Sequence, residues 1–342
     1  MRELVKELVN RWGKSSAIVF ATILLVLASA IFEPSALHKS ALASVWPFTA
    51  VLIIAALGQT LVIQQRGIDL SVPGFISLTV IVVTHMPNGN SSKLFGAIVL
   101  IFVINILAGL FSGLMVTKVG MSSIVQTLGM NAILYGIDIS ISHGTPTQTT
   151  AALQNFTAKS LFSIPITFYI ALLITALVGF IMKKTIPGRR FESSGASDSA
   201  GVAAGLRTDR YQLSAYVGAA ILYTIAGILL AGIISQPDPF QGDEYLLSTV
   251  AAVVLGGTSL LGGSGSAVAT AMGAFFLIML QQFILATGAT QAVQDVVEAT
   301  ALAVGVGIYG LRSQGAIVVN AFRQRLGSHG SSNPTTRSKV SS

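Results

Sequence analysis

The stretch GQTLVIQQRGIDLSVPG, Gly58 to Gly74, decides how this chain folds. It sets Arg66, Gly67, Asp69 and Pro73 between two apolar runs that each look able to cross a bilayer. Gly67 permits a break, Asp69 or Ser71 can cap a following helix, and Pro73 fits a first turn. The chain is therefore expected to unwind after about residue 64 and restart near Val72. Two readings stay open. The break is either a capped turn in water, or unwound backbone at membrane depth, which is tolerated only where protein buries it or it lines a wet cavity.

The 342 residues are 52% hydrophobic and 10% charged, with a mean hydropathy of +0.76. A soluble domain would carry about 25% charged residues, so the chain belongs among integral membrane proteins. Residues 40–65, 70–92, 94–117, 160–182, 211–237 and 245–294 contain no Asp, Glu, Lys or Arg. A spanning helix needs roughly 20 apolar residues. The pattern predicts about ten segments: 15–33, 46–64, 72–86, 94–117, 121–140, 165–182, 211–234, 246–261, 267–287 and 294–311, the third and eighth being short. The fold class is thus all-α, integral to the membrane, with two short or broken helices. The basic start and LASAIF, Leu27 to Phe32, also fit a cleaved signal peptide, but Glu3, Glu7 and the length of the leader favour an uncleaved first helix.

The net charge of +7 is explained by topology. With a cytoplasmic N-terminus, alternation puts seventeen of the twenty basic residues inside and only Lys39, Lys93 and Lys159 outside. Both termini are then cytoplasmic, and nucleic acid is not an expected partner. There are no cysteines and the four histidines are scattered, so neither a metal centre nor another cofactor is expected. The organisation follows as a cytoplasmic segment 1–14, a membrane domain 15–312 containing the inner connection 183–210, and a cytoplasmic tail 313–342 whose end is expected to be disordered. The outer connection 141–164 is polar and could fold as a small lid.

Two other stretches stand out. VLGGTSLLGGSGSAVAT, Val254 to Thr270, surrounds Thr258 and Ser259 with Gly256, Gly257, Gly262, Gly263 and Gly265. It lacks the Lys and flanking strand of a phosphate loop, leaving close helix packing and a bent short helix. The inner connection carries Ala196, Ala200, Ala203 and Ala204 before Gly205, which suits a short helix with a glycine stop, either solvated or docked to a partner. No carboxylate pair or mid-span cation marks an ion-coupled relay. No nucleophile with a base marks an enzyme.

GQTLVIQQRGIDLSVPG and VLGGTSLLGGSGS together resemble the permease subunits of bacterial ATP-binding-cassette importers, in the branch that takes up ribose, xylose, galactose and related sugars. IVQTLGMNAILYGI, Ile124 to Ile137, and the connection ending GLRTD add to the likeness. The resemblance implies a type II-like importer permease fold in which segments two to five and seven to ten are inverted repeats. It implies a second permease copy or paralogue, a cytoplasmic ATPase subunit, and a periplasmic or lipid-anchored binding protein delivering a small polar solute. Phe191 to Gly205 would be the coupling helix, with Phe191, Gly195, Ala196, Ala200, Ala204 and Gly205 facing the ATPase. Gln59, Gly67, Asp69, Ser71, Thr127, Asn131 and Tyr135, with Gly256, Gly257, Thr258 and Ser259, would form the translocation path and gate. Gln65 and Arg66 depart from the family, which usually has small residues before Gly67. The location implied is the bacterial inner membrane, and an ATP-independent facilitator is the alternative function.

Overall fold

The computed structural model describes residues 16–290, 292–303 and 307. Segments 1–14 and 313–342, and the end of the tenth expected span, lie outside the described residues. The helices are α1 (Ser16–Phe32), α2 (Lys39–Gln64), α3 (Val72–His85), α4 (Leu94–Leu114), α5 (Ser123–Ser142), α6 (Ala151–Thr157), α7 (Ile166–Lys184), α8 (Ile186–Ala196), α9 (Asp198–Ala203), α10 (Thr208–Ile233), α11 (Tyr245–Leu255) and α12 (Ala267–Ala286). Residues 292–303 are also helical.

Among the described residues, six helices are long and apolar enough to cross a membrane, and α1, α3 and α11 are shorter apolar helices. Two expected edges are corrected. Helix α2 begins at Lys39 and not at 46, with Pro47 inside it. Trp46, expected at the start of this segment, lies inside the helix with its ring 4.6 Å from Phe168 of α7 and 5.6 Å from Phe275 of α12. Helix α11 stops at Leu255, well short of 261, and at 1.5 Å per residue spans only about 16 Å. In the outer connection, expected as a polar segment able to fold as a small lid, α6 is followed by β1 (Ser160–Leu161) and β2 (Ile164–Pro165), which pair antiparallel. Phe162 and Ser163 between them both have positive φ, 49° and 64°, the twist a two-residue hairpin requires.

Helices α2 and α10 pack along each other at the centre. From Thr49 to Gln64, α2 is buried at every position but Leu61, as expected of a helix that is apolar all round. Around this pair the halves exchange partners: α3 and α4 pack on α10, whereas α11 and α12 pack on α2. That exchange follows the order helix, break, short helix, long helix in both halves. Outer helices turn large apolar side chains outward, including Phe95 and Leu107 on α4 and Leu173 and Phe180 on α7, a belt that only lipid or another apolar surface covers favourably. Inside, Asn105 of α4 donates to Thr79 of α3 at 2.9 Å and Thr224 of α10 at 2.8 Å, fastening three helices with one amide.

Candidate functional site

The break after α2 is closed locally before anything else holds it. Arg66 N–H donates to the Ile63 carbonyl at 2.9 Å and Gly67 N–H to the Val62 carbonyl at 3.0 Å, the paired bonds of a Schellman stop. The residue that turns left-handed is Arg66, at φ 64°, next to Gly67, which was expected to permit the break. Gly67 is required by space: a Cβ there would come within 2.7 Å of the Tyr216 hydroxyl and 2.9 Å of Val62 Cγ1.

Helix α5 then takes up the unwound backbone with side chains four residues apart. Ser123 Oγ accepts from Ile68 N–H at 2.9 Å and donates to the Ile68 carbonyl at 2.6 Å. Thr127 Oγ1 accepts from Leu70 N–H at 3.0 Å, and Asn131 Oδ1 accepts from Gly74 N–H at 2.8 Å. An unsatisfied backbone group in a bilayer costs several kcal/mol, so this ladder makes a buried break tenable. Of the expected path residues, Thr127 and Asn131 therefore hold backbone.

Asp69 is buried and accepts from both the N–H at 2.9 Å and the hydroxyl of Ser71. Neither residue caps α3 as expected: Ser71 stands at the N-cap position without a capping bond, because the carboxylate engages its hydroxyl. The Gln59 carboxamide lies against the same turn. Its nitrogen faces the Tyr223 hydroxyl at 3.0 Å and the Asp69 carbonyl at 3.2 Å, and its oxygen faces the Asp69 N–H at 3.3 Å. Gln59, Asp69, Ser71 and Tyr223 form one buried knot between α2, α10 and the break.

The three sequence stretches meet at this end of the bundle. Gly263 N–H donates to the Gln64 carbonyl at 2.8 Å. Gln65 Nε2 donates to the Phe191 carbonyl at 2.8 Å, and Arg66 pairs with Asp198 at 2.8 Å. Only glycine allows the approach, since a Cβ on Gly195 would collide with the Gln64 carbonyl. Gly262 and Gly263, at φ 89° and 77°, bring the loop after α11 onto the same junction.

The expected coupling residues divide by exposure. Phe191 and Gly195 are buried in the chain's own core, with Phe191 edge-on to Tyr211. Ala196, Ala200, Ala204 and Gly205 are exposed on α8, α9 and the turn after them. Gly205 follows α9 at φ 74°, a left-handed conformation that favours glycine. Instead of one helix, the connection forms two, separated at Ser197, whose hydroxyl accepts from Ala200 N–H at 3.3 Å. In the glycine loop, Gly256 packs on the backbone of Ala269 and Gly257 makes the turn at φ 79°, while Thr258 and Ser259 are buried.

The other end of the molecule is acidic. Tyr135 is not part of the Asp69 knot: its hydroxyl donates to Asp243 and its ring lies 5.5 Å from Phe240, beside Gly242, which packs on the Pro73 backbone. A cavity of about 410 Å³ is lined by Glu244, Asp295, Glu298, Gln281 and Gln282, among others. Burial first, then the neighbouring Asp295, Glu298 and Asp243, push the Glu244 carboxyl above the ordinary carboxylate range. One turn from Tyr135, Asp138 is fully buried, and neither oxygen finds a hydrogen bond among the described residues. Sequence reasoning missed Ser123, Gln64, Gln65, Asp198 and Tyr223. The spacing Ser123, Thr127, Asn131 on one predicted helix was the available signal for the first.

Residues 41–305 match the family described as the permease component of the branched-chain amino acid transport system, and the chain belongs to that family. It is 30% identical to the probable ABC transporter permease protein y4mJ of Sinorhizobium fredii, over 87% of this chain and 90% of the relative. It is 29% identical to the ribose import permease protein RbsC of Bacillus subtilis, over 83% and 88%. With the autoinducer 2 import system permease protein LsrC of Escherichia coli O157:H7 it shares 28%, over 78% of each. No solved structure matches. The chain is a transport subunit of the ATP-binding-cassette permease class.

Proposed function

We propose that the chain moves a small polar solute, most simply a monosaccharide, inward across the bacterial inner membrane by alternating access, driven by ATP hydrolysed on a separate subunit. It crosses the membrane ten times, its basic end faces the cytoplasm, and it works beside a second permease copy or paralogue. A binding protein outside delivers the solute to the acidic end. Support for a sugar comes from relatives named for ribose and autoinducer 2 import.

The junction of Gln64, Gln65 and Arg66 with α8, α9 and the glycine loop carries this reading. A push on exposed Ala200, Ala204 and Gly205 reaches the break through one hydrogen bond or ion pair, without passing through flexible chain. Such a coupling changes the cavity only if the ATPase binds the two states with different affinity.

The test is reconstitution of the chain with its co-purifying ATPase in vesicles containing the binding protein. Ribose uptake that requires ATP, with leucine not carried, is the expected result. Gly205→Trp should abolish uptake and ATPase retention while membrane insertion persists. Uptake by the chain alone, without ATP, would overturn the importer in favour of the facilitator.

A further inference from the structure

We propose that a cleft at the basic end of the bundle, between α7, α8 and the start of α10, holds the phosphate headgroup of an anionic phospholipid. The cleft has a volume of about 640 Å³. Leu61, Ile181, Met182, Pro187, Phe191 and Leu206 supply apolar walls, and Arg190, Arg207 and Arg210 stand around them.

Among the described residues, local charge accounting leaves the three arginines of the cleft without a carboxylate of their own. The connection 183–210 contains three carboxylates, Glu192, Asp198 and Asp209. Each already has a base: Lys183 at 2.6 Å from Glu192, Arg66 at 2.8 Å from Asp198, and Lys118 on Asp209. Among the described residues, Arg190, Arg207 and Arg210 have no ion-pair partner. A guanidinium fork suits phosphate oxygens, which it can bind through two parallel hydrogen bonds. Basic residues scattered by the positive-inside bias would need no shared cavity. These three have one.

Position selects lipid over a protein carboxylate. The outward apolar face of α7, through Leu173, Leu177 and Phe180, runs on to Ile181 at the cleft itself, and Ile186 at the start of α8 is also exposed. An acyl chain lying along that face brings its headgroup to the arginines where the helix reaches the membrane boundary. Basic pockets between helices at this level bind anionic headgroups, each basic residue strengthening surface attraction about fivefold. This proposal requires the membrane placement of α7 but not the identity of the solute.

The test uses the full chain purified in neutral detergent and titrated with phosphatidylglycerol or phosphatidylcholine, with retained lipid counted by native mass spectrometry. Wild type should retain phosphatidylglycerol selectively. Arg207→Gln with Arg210→Gln should weaken retention more than about tenfold, whereas Lys184→Gln with Arg189→Gln, an equal loss of charge outside the cleft, should change it by less than about threefold. Equal loss in both pairs would reduce the effect to diffuse charge and overturn the site. Displacement of the lipid by millimolar inorganic phosphate would make it a free-anion site. Unchanged lipid retention with loss of the co-purifying ATPase would assign the arginines to a protein partner.

Discussion

The breaks after α2 and after α10 occupy corresponding places in the two halves, yet they are held quite differently. Each follows a 26-residue helix and leads into a short one. Between α2 and α3 the backbone is stitched to α5, α2, α10, α8 and the glycine loop. Between α10 and α11 the chain runs through Ser235 to Glu244 with fewer ties: Phe240 N–H donates to Asp238 Oδ1 at 2.7 Å, Gly242 N–H to Ser77 Oγ of α3 at 2.9 Å, the Tyr135 hydroxyl of α5 to Asp243, and Thr149 N–H to the Ser235 carbonyl at 3.0 Å. Phe240 is half exposed. A break with many ties at the basic end and one with fewer between α10 and α11 would suit the proposed importer, taking force at the first and adapting to solute at the second.

The largest effect that would break this contrast is at Gly195. Valine there must displace the Gln64 carbonyl or the Gly263 backbone, and overpacking of this kind costs about 1–3 kcal/mol or more. Gly195→Val should eliminate ATP-driven uptake and lower the Tm. Gly242→Ala, at the other break, also meets backbone, that of Pro73. If the loop there is compliant, its Tm should fall less. Equal losses measured by thermal unfolding in detergent would end the distinction between stiff and compliant breaks.

The next comparison sets Asp69 against Asp209. Asp69→Asn replaces a buried acceptor of two Ser71 donors, at a cost of about 1–3 kcal/mol, while Asp209→Asn removes an exposed partner of Lys118 that contributes about 0–1 kcal/mol. Uptake should fall severely in the first and little in the second. At the acidic end, Asp138→Asn should raise stability by roughly 1–3 kcal/mol, because a buried carboxylate without hydrogen bonds is costly. If that cost is retained for transport, uptake should fall as Tm rises.

Much of this architecture was legible because apolar length and charge placement are one-dimensional signals. The break at residues 65–71 was visible in Gly67, Asp69 and Pro73, and the short third and eighth helices in the same way. What held the break was not visible. Gly67 looked like the flexible residue, but the left-handed turn falls on Arg66, and only the crowding by Tyr216 and Val62 explains the glycine. In the sequence Thr127 and Asn131 look like path residues, because a polar side chain in a span has two uses, solute or backbone. Which one applies depends on the neighbour that the fold brings up. Asp198 carried no pattern at all, since its partner Arg66 lies far away in sequence.

Arg66 itself offers the smallest and most informative change. In this position the backbone conformation costs a non-glycine residue roughly 1–2 kcal/mol, and the exposed pair with Asp198 returns only about 0–1 kcal/mol. Arg66→Gly should therefore leave the Tm unchanged or raise it by a few degrees. Uptake is the separate question. If the side chain only decorates the turn, Arg66→Gly and Asp198→Asn should both transport normally. If the pair carries motion from α9 to the break, both variants should hydrolyse ATP at the normal rate but move less solute per ATP. Arg66→Asp with Asp198→Arg should then recover part of the ratio. Low transport without recovery would assign the defect to the backbone turn, and the stiffness of the basic end would rest on Gln64, Gln65 and the glycines alone.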